Sequence, residues 1–139
     1  MDPQSENSQM MFPYDSDFDP PAPCLSITLA HPTDSTRTIS VTAQLDTGAD
    51  LTAVPQAILQ PLALPDAGDL LVAGYDGSLS RLPMYYLSLT VAECTLVPFR
   101  VVAISGEQAL LGRDALNHFY THLNGPDLTF DLARSRESE

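Results

Sequence analysis

The residues with the clearest chemical potential are Asp46-Thr47-Gly48, which follow the apolar residue Leu45. An aspartate between a strand and Thr-Gly sits on a tight turn, where the glycine permits close backbone approach. Such a turn can present a carboxylate at the surface while neighbouring backbone N–H groups hold it. An ordinary Asx-type turn between two strands would suit the same triplet. The triplet alone therefore does not decide between a structural and a catalytic role.

The surroundings of the triplet favour the catalytic interpretation. Apolar residues flank it on both sides: Leu45 comes before it, and Ala49, Leu51, Ala53 and Val54 come after it. Further on, residues 109–116 read Ala-Leu-Leu-Gly-Arg-Asp-Ala-Leu, and residues 74–77 read Gly-Tyr-Asp-Gly between two candidate strands. In this order and spacing, the three segments resemble the signatures of the retropepsin-like aspartic peptidases, the clan that includes the retroviral proteases. The resemblance covers about residues 25 to 132.

The resemblance implies a role for each matching position. The catalytic segment would be Asp46, Thr47 and Gly48, with Asp46 as the catalytic carboxylate and Thr47 donating its hydroxyl across a dimer axis. The peptide substrate would contact Gly48, Ala49 and Asp50 on the floor and Gly74, Tyr75, Asp76 and Gly77 on a flap. Leu111, Gly112 and Arg113 would support the site. An Arg fork suits a carboxylate, so we expect Arg113 to pair with Asp50 and brace the loop.

Some positions depart from the retroviral pattern. The flap carries Asp76, Ser78 and Ser80, whereas retroviral flaps are usually glycine-rich and apolar at the tip. Asp114 stands where retroviral enzymes commonly have Asn. The segment 124–132 is more similar to cellular and bacterial members.

The single triplet has a consequence for assembly. Peptide hydrolysis by carboxylates needs two of them around one water, one acting as base and the other protonated. The chain contains no second Asp-Thr-Gly and no Asp-Ser-Gly. We therefore expect an aspartic endopeptidase that works as a twofold homodimer on a peptide or protein substrate at acidic pH. The alternative is a catalytically silent binding or assembly module with the same fold.

Other chemistries find less support in the sequence. It has no GxSxG elbow, no HExxH and no phosphate-binding glycine loop. His118 and His122 have a spacing that can hold a metal on a helix, but no third ligand is apparent. We expect no metal and no cofactor.

The elements that must position these residues are short. At 139 residues the chain has room for one small domain. Residues 1–22 are acidic and proline-rich and predict a flexible arm. The alternative for Met10–Tyr14 is docking, either on a partner or on the domain itself. The peptidase domain is expected over residues 23–133, and residues 134–139 are expected to be a frayed tail.

Alternating apolar residues predict a β-hairpin from Leu25–Leu29 and Ile39–Ala43, leading directly into the triplet. Further strands are predicted at Leu70–Ala73, Tyr85–Val91, Val97–Ile104 and Leu128–Leu132. Two helices are predicted, at Gln56–Leu59 and Arg113–Tyr120. The predicted fold is mostly β: a retropepsin-like closed barrel or sandwich with a flap hairpin and one short C-terminal helix.

Charge restricts the partners. The formal net charge is −12, so the chain lacks the basic surface that nucleic acids and anionic membranes require. No apolar stretch approaches the length of a membrane span, and no signal peptide is visible. On these grounds we expect a cytoplasmic protein.

Overall fold

The computed structural model describes residues 9–134, and within that range the chain forms ten β-strands and two α-helices of four residues each. The strands are β1 (Gln9–Pro13), β2 (Cys24–Ala30), β3 (Thr38–Leu45), β4 (Ala53–Pro55), β5 (Asp69–Ala73), β6 (Leu79–Val91), β7 (Cys94–Ile104), β8 (Ala109–Leu111), β9 (Phe119–Asn124) and β10 (Thr129–Arg134). The helices are α1 (Gln56–Leu59), which continues into a 3-10 turn (Gln60–Leu62), and α2 (Arg113–Leu116). No helix in this range is long and apolar enough to cross a membrane.

Six strands form a closed barrel. They follow the order β2-β3-β8-β4-β7-β6, and β6 pairs back onto β2 with Leu29 opposite Leu89. Closure leaves the barrel strands without open edges along the ring. The predicted mostly-β closed architecture is confirmed.

The barrel core follows from period-two patterning. Leu25, Ile27 and Leu29 on β2 are buried, whereas Ser26 between them is exposed. The predicted hairpin is confirmed, with Ile27 paired with Val41. Because side chains alternate across a strand, one face of β2 fills the barrel and the other faces out.

A hairpin projects from the barrel. β5 pairs with the first half of β6, from Asp69 opposite Pro83 to Ala73 opposite Leu79. Every residue from Leu71 to Arg81 is exposed. The flap hairpin expected from the sequence is present, and the predicted strand Tyr85–Val91 is the second half of the longer β6.

A second sheet has three strands in the order β1-β10-β9. Phe12 of β1 stacks on Phe130 of β10 with ring centroids 5.2 Å apart. Part of the segment expected as a flexible arm therefore packs on the domain, which is the docked alternative for Met10–Tyr14. Residues 1–8 of that arm and residues 135–139 of the expected tail lie outside the described residues, and the domain boundaries at 22 and 133 stay predictions.

The predicted helix Arg113–Tyr120 is wrong beyond its first turn. α2 ends at Leu116, and Phe119–Asn124 forms strand β9, which pairs with β10. Backbone pairing with β10 outweighs the local helical pattern, because propensity is a weak prior against tertiary context. The helical spacing of His118 and His122 is thereby lost. His122 lies on a strand, with its Nδ1 3.8 Å from an Asp131 carboxylate oxygen.

Candidate active site

The Asp46 loop begins where β3 ends. The Asp46 N–H donates to the Leu111 carbonyl over 3.0 Å, and the Ala49 N–H donates to the Asp46 carbonyl over 3.1 Å. The Gly48 N–H donates to the Asp46 carboxylate over 2.9 Å. The last of these bonds forms an Asx-type turn, the local geometry that also suits the structural alternative for the triplet. The carboxylate is half-buried at the tip of a defined turn.

Parallel pairing brings the two signature segments together. β3 runs parallel to β8, with Leu45 opposite Leu111. Immediately after β8, Gly112 passes so close to the loop that a Cβ on it would lie 2.7 Å from the carbonyl carbon of Leu51. Real Cβ atoms essentially never approach backbone so closely, so only glycine fits here.

Arg113, the first residue of α2, makes several hydrogen bonds to the loop. Its backbone N–H donates to the Ala49 carbonyl over 2.9 Å, and its guanidinium donates to the Thr47 carbonyl over 2.6 Å. The guanidinium also donates to the Asp50 carboxylate, which confirms the predicted pair. The Asp50 side chain is 81% exposed and that of Arg113 is 45% exposed. Solvent-exposed pairs contribute only about 0–1 kcal/mol, so the contacts of Arg113 matter more for geometry than for stability.

The flap tip is a hydrogen-bonded turn. The Gly74 N–H donates to the Ser78 carbonyl over 2.8 Å, and Gly77 adopts a φ of 82°, which favours glycine. The Ser78 N–H donates to the Asp76 carboxylate over 2.9 Å. Hydrogen bonds from Ser78 lower the pKa of Asp76 below the usual aspartate value. Tyr75 at the tip is fully exposed.

An open cleft of about 610 Å³ lies between the loop and the flap. Gly48, Asp50 and Leu51 line it on the loop side, and Leu70–Ala73 of β5 line it on the flap side. The sequence singled out Gly48 and Asp50 but missed the lining by β5. Ala49 and the tip residues 74–77 are not part of this lining.

Comparison with solved structures places this arrangement in a known fold. EIAV protease complexed with the inhibitor HBY-793 matches with a TM-score of 0.55 and 18% identity, over 69% of this chain and 86% of that chain. A retropepsin-like aspartic protease from Rickettsia conorii matches with a TM-score of 0.53 and 17% identity, over 81% of this chain and 93% of that chain. The fold is retropepsin-like. No protein-family model matches the chain, and no curated protein does.

The retropepsin-like domain holds a polar network that sequence reasoning missed. Thr52, at the far end of the loop, is fully buried. Its hydroxyl donates to the Asp114 carboxylate over 2.8 Å and accepts the Gly112 N–H over 3.1 Å. The sequence marks Asp114 only as a departure from the retroviral pattern. Nothing in the sequence marks Thr52 as buried or connects it with a residue 62 positions away.

The site thus places one carboxylate, that of Asp46, in a loop held by Arg113. The cleft between this loop and the flap is lined by Gly48, Asp50 and Leu51 and not by Asp46 itself. Within residues 9–134, no group of three or more His, Cys, Asp or Glu side chains is arranged to hold a metal ion. A carboxylate beside a cleft with apolar walls suits acid–base chemistry on a bound chain.

Proposed function

We propose that this protein is an aspartic endopeptidase whose active site is completed by a second copy of the chain. The observation that carries the proposal is the Asp46 turn, tied to β8 and α2 and separated from the flap by an open cleft. The retropepsin-like fold supports the proposal, since both solved structures named above are described as proteases.

The proposed chemistry uses two Asp46 carboxylates that share one proton. Two carboxylates about 3 Å apart cannot both ionise, so the pair titrates as a unit. The ionised Asp46 takes a proton from a water, and the resulting oxygen attacks the scissile carbonyl carbon. The protonated Asp46 donates to the carbonyl oxygen, giving a tetrahedral gem-diol. On collapse, the Asp46 that took the water's proton gives it to the amide nitrogen, the other Asp46 takes a proton from a hydroxyl of the gem-diol, and the C–N bond breaks.

The outer edge of β9 supports a contact between copies. On this strand Tyr120 is 61% exposed and Leu123 is 52% exposed. The strand contains no acidic residue, although the chain has a formal net charge of −12. An exposed strand edge can pair with another strand, and the absence of acidic side chains lowers the repulsion between like chains. Because α2 precedes β9, a copy seated there would lie close to the segment that holds the Asp46 loop.

The proposed substrate is an extended peptide bound as an added strand between flap and floor. The cleft walls include Leu51, Leu71 and Val72, of which Leu71 is 55% exposed. Apolar side chains of a peptide would cover this surface, and Gly48 and Asp50 would hold its backbone.

The decisive experiment compares peptide cleavage against pH for the wild type, Asp46→Asn and Asp66→Asn. Asp66 is a matched control, because its carboxylate accepts the Gly68 N–H over 2.9 Å in the same i to i+2 turn as Asp46. We expect Asp46→Asn to lower kcat about 10²–10⁴-fold, and Asp66→Asn to leave it unchanged.

Sedimentation of the same proteins tests the dimer. Equal cleavage by the wild type and Asp46→Asn would refute the proposed catalysis. A strict monomer that binds peptides without cleaving them would instead identify the chain as a binding module, the alternative left open by the sequence.

A further inference from the structure

The buried network behind the Asp46 loop has a fixed direction. A carboxylate can only accept hydrogen bonds, so the Thr52 hydroxyl must give its proton to Asp114. Its oxygen is then free to accept the Gly112 N–H. The Thr52 N–H also donates to both Asp114 carboxylate oxygens, each over 3.1 Å. The Asp114 carboxylate therefore orients the Thr52 hydroxyl, and through it the backbone of Gly112, and it also holds the backbone of Thr52.

Thr52 makes hydrogen bonds to three parts of the chain: β7, α2 and Gly112, which lies between β8 and α2. Its carbonyl accepts the Val102 N–H of β7 over 3.1 Å, its N–H reaches α2 through Asp114, and its hydroxyl reaches Gly112. Every polar group of this fully buried residue is thus engaged. The far end of the loop is fixed both to the barrel and to the start of α2.

The segment from Leu111, at the end of β8, to Arg113, at the start of α2, holds the near end of the loop. Leu111 accepts the Asp46 N–H, and Arg113 binds Ala49 and Thr47. The distance between the two ends of the loop therefore depends on how Gly112 sits relative to Thr52. A small shift of Gly112 would move Leu111 and Arg113, and with them the Asp46 turn.

We propose that Thr52 and Asp114 are positioning residues that set the placement of the Asp46 carboxylate through Gly112. Neither residue lines the cleft, so they act through the loop and not on the peptide. The inference rests on the proposed peptidase function. A misplacement of about 1 Å in an active site can cost about 10²-fold in rate. Contacts that fix the Asp46 loop therefore affect the rate even though they do not touch the peptide.

The test uses a matched pair of variants in the full chain. Thr52→Val keeps the side-chain shape and removes the hydroxyl, whereas Thr52→Ser keeps the hydroxyl. We expect Thr52→Val to lower kcat about 10- to 10²-fold with little change in KM, and Thr52→Ser to restore it. Thr95→Val is the control for the chemical change itself, because Thr95 is exposed and its hydroxyl lies 2.9 Å from that of Thr90, on the β6–β7 hairpin.

Asp114 gives a second pair in case Thr52→Val does not fold. Asp114→Asn keeps one oxygen that can accept from Thr52, and Asp114→Ala removes both. We expect kcat to fall with Asp114→Ala and to be largely kept with Asp114→Asn. A merely structural role would lower the melting temperature of the alanine variant but leave kcat of the folded protein unchanged.

Amide hydrogen exchange separates this inference from the proposed function. The N–H groups of Asp46 and Arg113 make no bond to Thr52, so their faster exchange in Thr52→Val, relative to Thr52→Ser, would show that the loop has loosened. This measurement needs no catalysis and decides the bracing even if the wild type cleaves nothing. Unchanged exchange at both amides would overturn the inference, and so would equal kcat in the valine and serine variants if the wild type cleaves peptide.

Discussion

Gly112 is the position where a single methyl group should do most damage. A Cβ there would lie 2.7 Å from the carbonyl carbon of Leu51, 2.8 Å from the Leu51 oxygen and 3.0 Å from the Ala49 oxygen. All three atoms are backbone, so no side chain can rotate away. The φ of Gly112 is −85°, which any residue adopts. The expected penalty is therefore steric rather than conformational.

The magnitude follows from two contributions. Overpacking a close-packed site costs about 1–3 kcal/mol, and backbone clashes belong at the upper end of that range. A displaced Gly112 also weakens its hydrogen bond to Thr52, worth about 1 kcal/mol. We expect Gly112→Ala to lower the free energy of unfolding by about 3 kcal/mol. For a chain of 139 residues this corresponds to a fall in melting temperature of about 10 °C.

The assay is thermal unfolding followed by calorimetry, with Gly125→Ala as the matched control. An added Cβ at Gly125 meets no atom within 4 Å, so that variant should stay within about 1 kcal/mol of the wild type. Melting temperatures for the two variants within about 2 °C of each other would refute the close-approach argument.

Two further predictions concern the edges of the molecule. Phe12→Ala removes the ring stacked on Phe130. Because Phe12 is only half-buried, the free energy of unfolding, measured in urea, should fall by about 2 kcal/mol. The control Met11→Ala alters a side chain that is 69% exposed and should lower it far less; equal losses would contradict docking of β1. At the flap tip, the lowered pKa of Asp76 means that its carboxylate stabilises the turn above about pH 4 and that this contribution is lost as the pH falls through the lower folded-state pKa. Protection of the Ser78 amide, taken as its exchange relative to the intrinsic rate at each pH, should fall over that interval in the wild type. A pH-independent rate ratio between the wild type and Asp76→Asn would count against this prediction.

Elements with a strong alternating pattern could be predicted from the sequence. Leu25, Ile27 and Leu29 fix which face of β2 is buried, and the short connection from β2 to β3 fixes the pairing partner of β2. Strands β4 and β8 could not be seen, because three residues carry no periodicity, yet β8 is what brings Gly112 to the loop. Short strands of this kind are defined by their neighbours and not by their own residues.

The C-terminal region shows why periodicity alone fails. Leu116, Phe119 and Tyr120 are spaced as on one face of a helix, and the same residues suit a strand rich in aromatic side chains. Residues Phe119–Asn124 form a strand because β10 provides their backbone hydrogen-bonding partner. In the site, the pair of Asp50 and Arg113 could be expected from a known pattern. Thr52 could not, since a threonine in a loop gives no sign that it is buried.

Within residues 9–134, most hydrogen bonds around Asp46 fix the backbone of its loop, and few reach its carboxylate. The bonds to Leu111 and Ala49, and those of Arg113 to the loop, all end on main-chain atoms or on Asp50. Among the described residues, the hydrogen bond that reaches the Asp46 carboxylate itself comes from Gly48 of the same turn. A single chain therefore determines where the carboxylate lies. In the proposed dimer the group that faces it is a second Asp46. Placement and reactivity would then have separate origins: the proposed brace at Thr52 and Asp114 would contribute to the first, and the proposed twofold axis to the second.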